Sequence, residues 1–376
     1  IGGLYDPPEA ALQNLDDTDL VVPGVQALAV SEHIVAVGSG VVRLQTEPVG
    51  LWRPTETVLF FERDRGDRVI GRWFVDHASI GDLTSRESGV RDVVFSPDGA
   101  SAFVASQGGL HQVASAIPGA AQRELPGHEG AVTAVAWTSV GLVSGGEDGR
   151  VLLTPSPSGG GSVPVELWRS RSRISDVCHA RNRLVAADSG GTLRVWPRID
   201  DSRDESSDLV TDDSPILAAA IDESARWIAV ASENSALRLW QLDATGRVHE
   251  EPIVHHMDQP VVSMDFDPSH PHLAIGLAED EFSLAAGRGV VAILRLDRPT
   301  DRPFTIWEGE GAVQVLRYDP QGRVLFAGTR TGEVLRLPAS AEVLAEGLAR
   351  RGSRPLTREE WSRFVGPDLP IETLER

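Results

Sequence analysis

Serine, histidine, cysteine and carboxylate side chains are what an enzyme uses to attack, move a proton or hold a metal, and this chain gathers them in four short runs. Asp188-Ser-Gly-Gly191 places a hydroxyl between an acid and two glycines, where a nucleophile could be presented. His255-His256 with Asp258, and His270-Pro-His272, offer imidazoles, and Cys178-His179 pairs the single cysteine with another. Each run also has a plainer reading. Asp188–Gly191 falls where a hairpin turn belongs, and no Gly-x-Ser-x-Gly elbow occurs anywhere in the chain. Neighbouring side chains on a strand project to opposite faces, which argues against the histidine runs and Cys178-His179 meeting on one ion. A lone cysteine on a strand usually acts as a small core residue. The expectation is no catalytic residue, no metal and no cofactor, leaving ligands gathered from several elements around an axis as the remaining route to an enzyme.

Composition narrows the partners. The net charge is −20 with a pI near 4.9, which repels a phosphate backbone and makes nucleic acid an unsuitable partner. All the positive charge is arginine, since the sequence has no lysine, and this removes the P-loop lysine and every Schiff-base mechanism. One cysteine allows no internal disulfide, which fits a reducing, cytoplasmic setting. No apolar run approaches the ~20 residues of a membrane span, so no membrane partner is expected. Ile1 opens the chain without Met and without a basic, apolar leader, which reads as a processed end or as part of a larger parent protein.

The elements that must position any site follow a repeated grammar of apolar run, tight turn, apolar run. Seven inner strands are predicted, near Val25–Val30, Val90–Phe95, Val132–Trp137, Ile174–Cys178, Ile216–Ile221, Val261–Phe266 and Val313–Tyr318. A second strand follows each, from His33–Val37 to Val324–Gly328. Third strands such as Leu193–Trp196 and Leu237–Trp240 alternate apolar and polar, as a half-buried strand does. Outer strands are weaker, as at Val165–Trp168 and Phe304–Trp307. Ser96-Pro-Asp-Gly99 and Asp319-Pro-Gln-Gly322 are turns, in which Pro presets φ and Gly supplies a positive one. The first repeat is long, and its excess, holding Thr57–Phe61 and Val69–Val75, is assigned to an insertion between its second and third strands. A shorter insertion is assigned to Ala278–Arg288, and Pro155–Ser162 and Asp200–Asp213 are read as mobile polar loops. Asp19–Val22 is expected to pair as the outermost strand of the last sheet, closing a ring. Residues 1–338 thus form one propeller domain. Residues 339–376 form a short helical tail packed on it, with Thr357-Arg-Glu-Glu360 as a capping box.

Gly127-His128, Ser144-Gly-Gly-Glu-Asp-Gly149, Leu193–Trp196 and Leu237–Trp240 resemble the WD-repeat family, whose blades run from Gly-His to Trp-Asp. The resemblance covers about residues 20 to 338 in rhythm. It departs where Trp196 and Trp240 are followed by Pro197 and Gln241. It implies an all-β, seven-bladed propeller, and a buried hydrogen-bonded set of His128, Ser144 and Asp148, with Thr154 where the family has Trp. The other blades lack that set and are expected to rely on packing. Asp188–Gly191 also looks like the nucleophile loop of trypsin-like serine proteases, but without their preceding Gly and following Pro. Leu356–Trp361 and Phe364-Val-Gly366 are similar to the tail that ends many bacterial WD-repeat proteins of the STAND class, signalling ATPases with an effector, an NTPase and a propeller sensor.

The loops that enter the inner strands, and those between second and third strands, belong on one rim. They hold Glu129, Glu147, Asp188, Asp212, Asp213, Glu233, Asp258, Glu308 and Glu310, whereas the opposite loops carry Arg181, Arg183, Arg226, Arg247, Arg298, Arg302 and Arg323. An acidic rim would draw in a basic protein patch. The function expected is a non-enzymatic propeller that binds a protein, either a basic patch on another molecule or neighbouring domains of its own parent, as sensor or scaffold of a bacterial signalling or defence ATPase. Two alternatives stay open: a metal-dependent propeller hydrolase or lactonase with a divalent ion in the channel, and a freestanding assembly scaffold.

Overall fold

The computed structural model describes residues 20–21, 24–44, 52–62, 69–76, 89–114, 123–155, 162–199, 206–210, 214–278, 287–340 and 343–344. They build seven antiparallel sheets in chain order. Blade 1 holds β1 (Leu20–Val21), β2 (Ala27–Val30), β3 (Ile34–Leu44), β4 (Trp52–Glu62) and β5 (Val69–Asp76). Blade 2 is β6 (Val90–Phe95), β7 (Ser101–Ser106), β8 (Gly109–Ala114) and β9 (Arg123–Leu125). Blade 3 is β10 (Val132–Thr138), β11 (Gly141–Gly146), β12 (Arg150–Thr154) and β13 (Val165–Arg169). Blade 4 is β14 (Ile174–Ala180), β15 (Arg183–Asp188), β16 (Thr192–Trp196) and β17 (Ser207–Val210). Blade 5 is β18 (Ile216–Ile221), β19 (Trp227–Ser232), β20 (Ala236–Leu242) and β21 (Val248–His256). Blade 6 is β22 (Val261–Phe266), β23 (His272–Ala278), β24 (Arg288–Arg295) and β25 (Phe304–Glu310). Blade 7 is β26 (Val313–Tyr318), β27 (Val324–Thr329) and β28 (Val334–Pro338). The protein is an all-β, seven-bladed propeller, as the repeat predicts.

Burial peaks at the second strands and falls toward the outer ones, which explains the sequence patterns. Second strands are covered on both faces, so β19 reads as the unbroken run Trp-Ile-Ala-Val-Ala-Ser. The outer strand β25 is mostly exposed. One small residue per blade sets the spacing between sheets: Gly38, Ala105, Gly145, Ala187, Ala231, Gly276 and Gly328 hold the same register position on the second strand. A Cβ on Gly145 would come within 2.5 Å of Ile174 Cγ2, the first residue of the next inner strand.

The ring closes by the same device, since Gly328 in blade 7 leaves room for Val25 entering blade 1. The Val25 N–H donates to Thr329 O at 2.9 Å, and Val25, Leu28, Val35, Val37, Val315 and Phe326 form one apolar cluster across the seam. The expected closing strand lies elsewhere: Leu20–Val21 pairs with Leu44 and Arg43 of β3, in the first sheet, because β3 runs on past the blade and offers its edge. The first repeat also differs from expectation. Thr57–Phe61 and Val69–Val75 are not inserted material but parts of its own third and fourth strands, β4 and β5, and the extra length lies in the overlong β3–β4 hairpin. Within Asp200–Asp213, Ser207–Val210 is the outer strand β17, paired with β16. The rest of that segment, most of Pro155–Ser162 and of Ala278–Arg288, and nearly all of the tail lie outside the described residues; Val343 and Leu344 are helical. Among the described residues no helix is long and apolar enough to cross a membrane.

Candidate interaction rim and axial channel

In blade 3 the loop before β10 and the turn after β11 meet over a histidine. His128 Nδ1 lies 3.0 Å from Asp148 Oδ1, and Nε2 lies 2.8 Å from Ser144 Oγ. Asp148 also accepts the N–H of Glu129 (2.9 Å) and of Arg150 (3.1 Å), and the Arg150 guanidinium returns to Gly127 O at 2.6 Å. Burial would raise Asp148, but these donors and His128 outweigh it and hold the carboxyl down to about 2. Burial dominates at His128 and lowers its pKa, so the neutral ring donates from Nδ1 to the carboxylate and accepts the Ser144 hydroxyl at Nε2. Thr154 is buried at the end of β12.

Blade 4 holds a reduced version of this network. Ser170 stands where blade 3 has His128, and its Oγ donates to Asp188 Oδ2 at 2.5 Å. Asp188 Oδ1 accepts the N–H of Gly190 (2.9 Å) and Thr192 (2.8 Å). Asp188 is therefore 3% exposed and organises the β15–β16 turn; it does not belong on the exposed rim. The same bonds make Asp188–Gly191 the hairpin turn that its position in the repeat predicts.

Glu129, Glu147, Glu233, Asp258, Glu308 and Glu310 are exposed, while Asp212 and Asp213 lie outside the described residues. The shared rim follows from the backbone: Glu147 N–H donates to Ala131 O and Glu233 N–H to Pro215 O, tying each β-turn to the loop entering its inner strand. Arginines interrupt the acidity. Arg91 lies 4.0 Å from Glu147, Arg150 lies 4.0 Å from Glu129, and Arg288 pairs with Glu308. Arg171 and Arg173 are exposed on the same rim between β13 and β14. Glu233, Asp258 and Glu310 form no ion pair among the described residues, so the acids without an arginine partner lie on blades 5 and 6, while in blade 7 Arg330 holds the position of Glu147 and Glu233, its N–H donating to Ala312 O. On the opposite face Arg183 donates to the carbonyls of Ala225, Asp243 and Ala244, and Arg181 to that of Glu223, tying blade 4 to blade 5.

The axial channel holds side chains that the repeat pattern did not single out. In blades 2 to 7 the inner strand skips one residue in its pairing, at Arg91, Thr133, Ser175, Leu217, Val262 and Gln314. Each of these β-bulge residues, with Gln26 of blade 1, lines a cavity of about 130 Å³ on the axis. Beneath them, carboxylates staple one blade to the next. Asp92 accepts the N–H of Val135 (3.0 Å), Asp176 that of Ala219 (2.9 Å) and Asp265 that of Tyr318 (2.6 Å). Ser263 Oγ accepts from Leu316 (2.8 Å), and Thr133 Oγ1 donates to Ile174 O (2.7 Å). Arg317 sits among the acids, with Nη2 3.4 Å from Asp92 Oδ1. Burial pushes Asp176 and Asp265 up to about 6, whereas the Asp92, Asp265 and Asp176 charges overcome burial at Arg317 and raise it. The signal was available as Asp two places after an inner-strand start, at Asp92 and Asp176, but an acid in an apolar run also reads as a half-exposed face. Burial also raises the Cys178 thiol well above its ordinary value, as suits a structural cysteine.

Residues 119–153 match the family model for the WD domain, G-beta repeat. The matched stretch carries Gly127-His128, β10, β11 and most of β12. No curated protein matches the chain. The match and the ring of seven sheets together support the WD-repeat propeller family, a fold that typically serves protein interaction.

Proposed function

We propose, taking a WD-repeat propeller as the premise, that this protein is a non-enzymatic interaction disk that presents its rim to a protein partner. In this reading it is the sensor or scaffold region of a larger bacterial signalling or defence ATPase and works in the cytoplasm. The observation that carries the reading is the placement of Glu233 in the β19–β20 turn of blade 5, Asp258 in the loop entering blade 6 and Glu310 at the end of β25, all exposed on one rim and held by a rigid, closed ring. A trigger or a neighbouring domain that binds this sector more tightly in one state than in another shifts the equilibrium between them. The channel supports binding over hydrolysis, because Asp92, Asp176 and Asp265 already spend an oxygen on a neighbouring blade's N–H and share Arg317.

The gene upstream of Ile1 provides the first test, since a P-loop motif is expected there. The second uses the parent chain: Glu233→Arg, Asp258→Arg and Glu310→Arg together should abolish the trigger's effect on ATP hydrolysis and leave the untriggered rate unchanged. A parent without a P-loop overturns the ATPase assignment, and triggered hydrolysis that persists in the triple variant overturns the rim assignment.

A further inference from the structure

The turn joining β22 to β23 departs from its counterparts in the adjacent blades. In blade 5 Asp222 Oδ1 accepts the N–H of Arg226 (2.5 Å) and Trp227 (2.6 Å), and in blade 7 Asp319 Oδ1 accepts those of Arg323 (2.6 Å) and Val324 (3.0 Å). Asp267 opens a turn of the same length in blade 6, but its Oδ1 accepts from Ser269 (2.8 Å) and His270 (3.0 Å) instead. Oδ2 is then left to face side chains. His270 Nδ1 lies 3.0 Å from it and His272 Nδ1 4.0 Å. The two histidines flank Pro271, and their rings stack with centroids 5.8 Å apart and planes 20° from parallel. The backbone between them is a tight turn closed by the His272 N–H, which donates to His270 O at 2.8 Å, so the strand alternation that sets His255 against His256 does not govern this pair.

We infer that Asp267, His270 and His272 form a binding site for a divalent transition-metal ion, zinc above all, on the face opposite the rim. Two imidazole nitrogens and a carboxylate oxygen are a donor set that suits zinc over calcium or magnesium. Zinc takes such ligands at about 2.0–2.2 Å, and the corners of a tetrahedron of that radius are about 3.4 Å apart. The separations of 3.0 and 4.0 Å bracket that value, and all three donor atoms lie within 4.8 Å of one another. The ligands differ usefully in freedom: the Asp267 side chain is fully buried and anchored by two N–H groups, whereas His270 is 41% and His272 25% exposed. Asp267 and His270 line a cavity of about 300 Å³ between blades 5 and 6, whose wall includes Trp227, Phe266 and Asp297. That opening leaves the fourth position to water or to a partner's side chain.

The test uses tag-free protein stripped with a chelator, titrated with zinc chloride by calorimetry and with cobalt(II) by visible absorption. The expected result is one ion per chain, a four-coordinate cobalt spectrum that zinc displaces, and a zinc-dependent rise in melting temperature, because the ion binds the native state. His270→Ala and His272→Gln should each weaken binding by at least about tenfold, and His255→Ala should leave it unchanged. Melting curves of the chelated variants separate ligand loss from unfolding; if His272→Gln does not fold, the exposed His270→Ala decides. Absence of saturable binding to the wild type, undiminished binding to a folded His270→Ala protein, or loss of binding with His255→Ala overturns the assignment.

Discussion

Asp176 shows how one side chain can hold a seam together and still titrate. Its carboxylate accepts the N–H of Ala219 in the next blade, yet burial and nearby Asp92 push its pKa up to about 6. The folded state therefore binds this proton more tightly than the unfolded chain, whose aspartates titrate near about 3.9. Stability from this group is fully present below pH about 4 and is lost as pH rises through about 6. Asp265 acts in the same direction. His128 acts in the opposite one, because its lowered pKa makes folding less favourable as pH falls below about 6.5. Comparing Asp176→Asn with wild type isolates the acid: urea unfolding at a series of pH values should give a flatter profile between pH 4 and 7, by roughly 2 kcal/mol. Parallel profiles would mean that the carboxylate keeps its ordinary pKa. The set of His128, Ser144 and Asp148 could be named in advance because the resemblance to the WD-repeat family implies it, and all three residues fall within the one blade that carries the family's motif. The stapling acids could not, since the N–H each accepts belongs to another blade some forty to fifty residues on.

A blade is defined as much by where it lacks a side chain as by what it packs. Strand existence, order and turns were legible, since each inner strand is an apolar run with a turn after it, and the structure places all seven within a few residues of their predicted ends. The second strands also carried the spacing rule, a Gly or Ala at one shared register position, but its meaning needs the neighbouring sheet. Gly145→Val puts a branched side chain against Ile174 at the seam between blades 3 and 4. Overpacking of this kind should cost about 1–3 kcal/mol or more, read as a lower urea midpoint, whereas Gly145→Ala should cost less. Equal midpoints for Gly145→Val and the wild type would show that the sheets can separate freely there. The misassigned pieces share one cause: Thr57–Phe61, Val69–Val75 and Ser207–Val210 lie where loop length varies, and strand pairing, which is long-range, decides their membership.

At the scale of the ring, a charge of −20 repels itself. Salt should screen this repulsion over a Debye length of about 10 Å at 0.1 M and so stabilise the fold. The urea midpoint is expected to rise between low salt and about 0.3 M sodium chloride; a falling midpoint would mean that ion pairs such as Arg317–Asp92 and Arg194–Asp208 outweigh the net charge. Among the described residues the rim carries unpaired acids on blades 5 and 6 and arginines at 171, 173 and 330, which matters for any partner, since orientation as well as attraction is then set by charge.

Periodicity and turn chemistry are local properties, so the amino-acid order alone settles that this chain makes short strands in seven repeats, and where each inner strand lies to within a few residues. Tertiary structure decides what depends on sheets meeting. It decides that Leu20–Val21 joins the first sheet, that Asp188 is buried while Glu233 is not, that six bulge residues turn toward the axis, and that two histidines come to lie beside Asp267. In each case the deciding contact is made with a part of the molecule that the neighbouring residues do not encode.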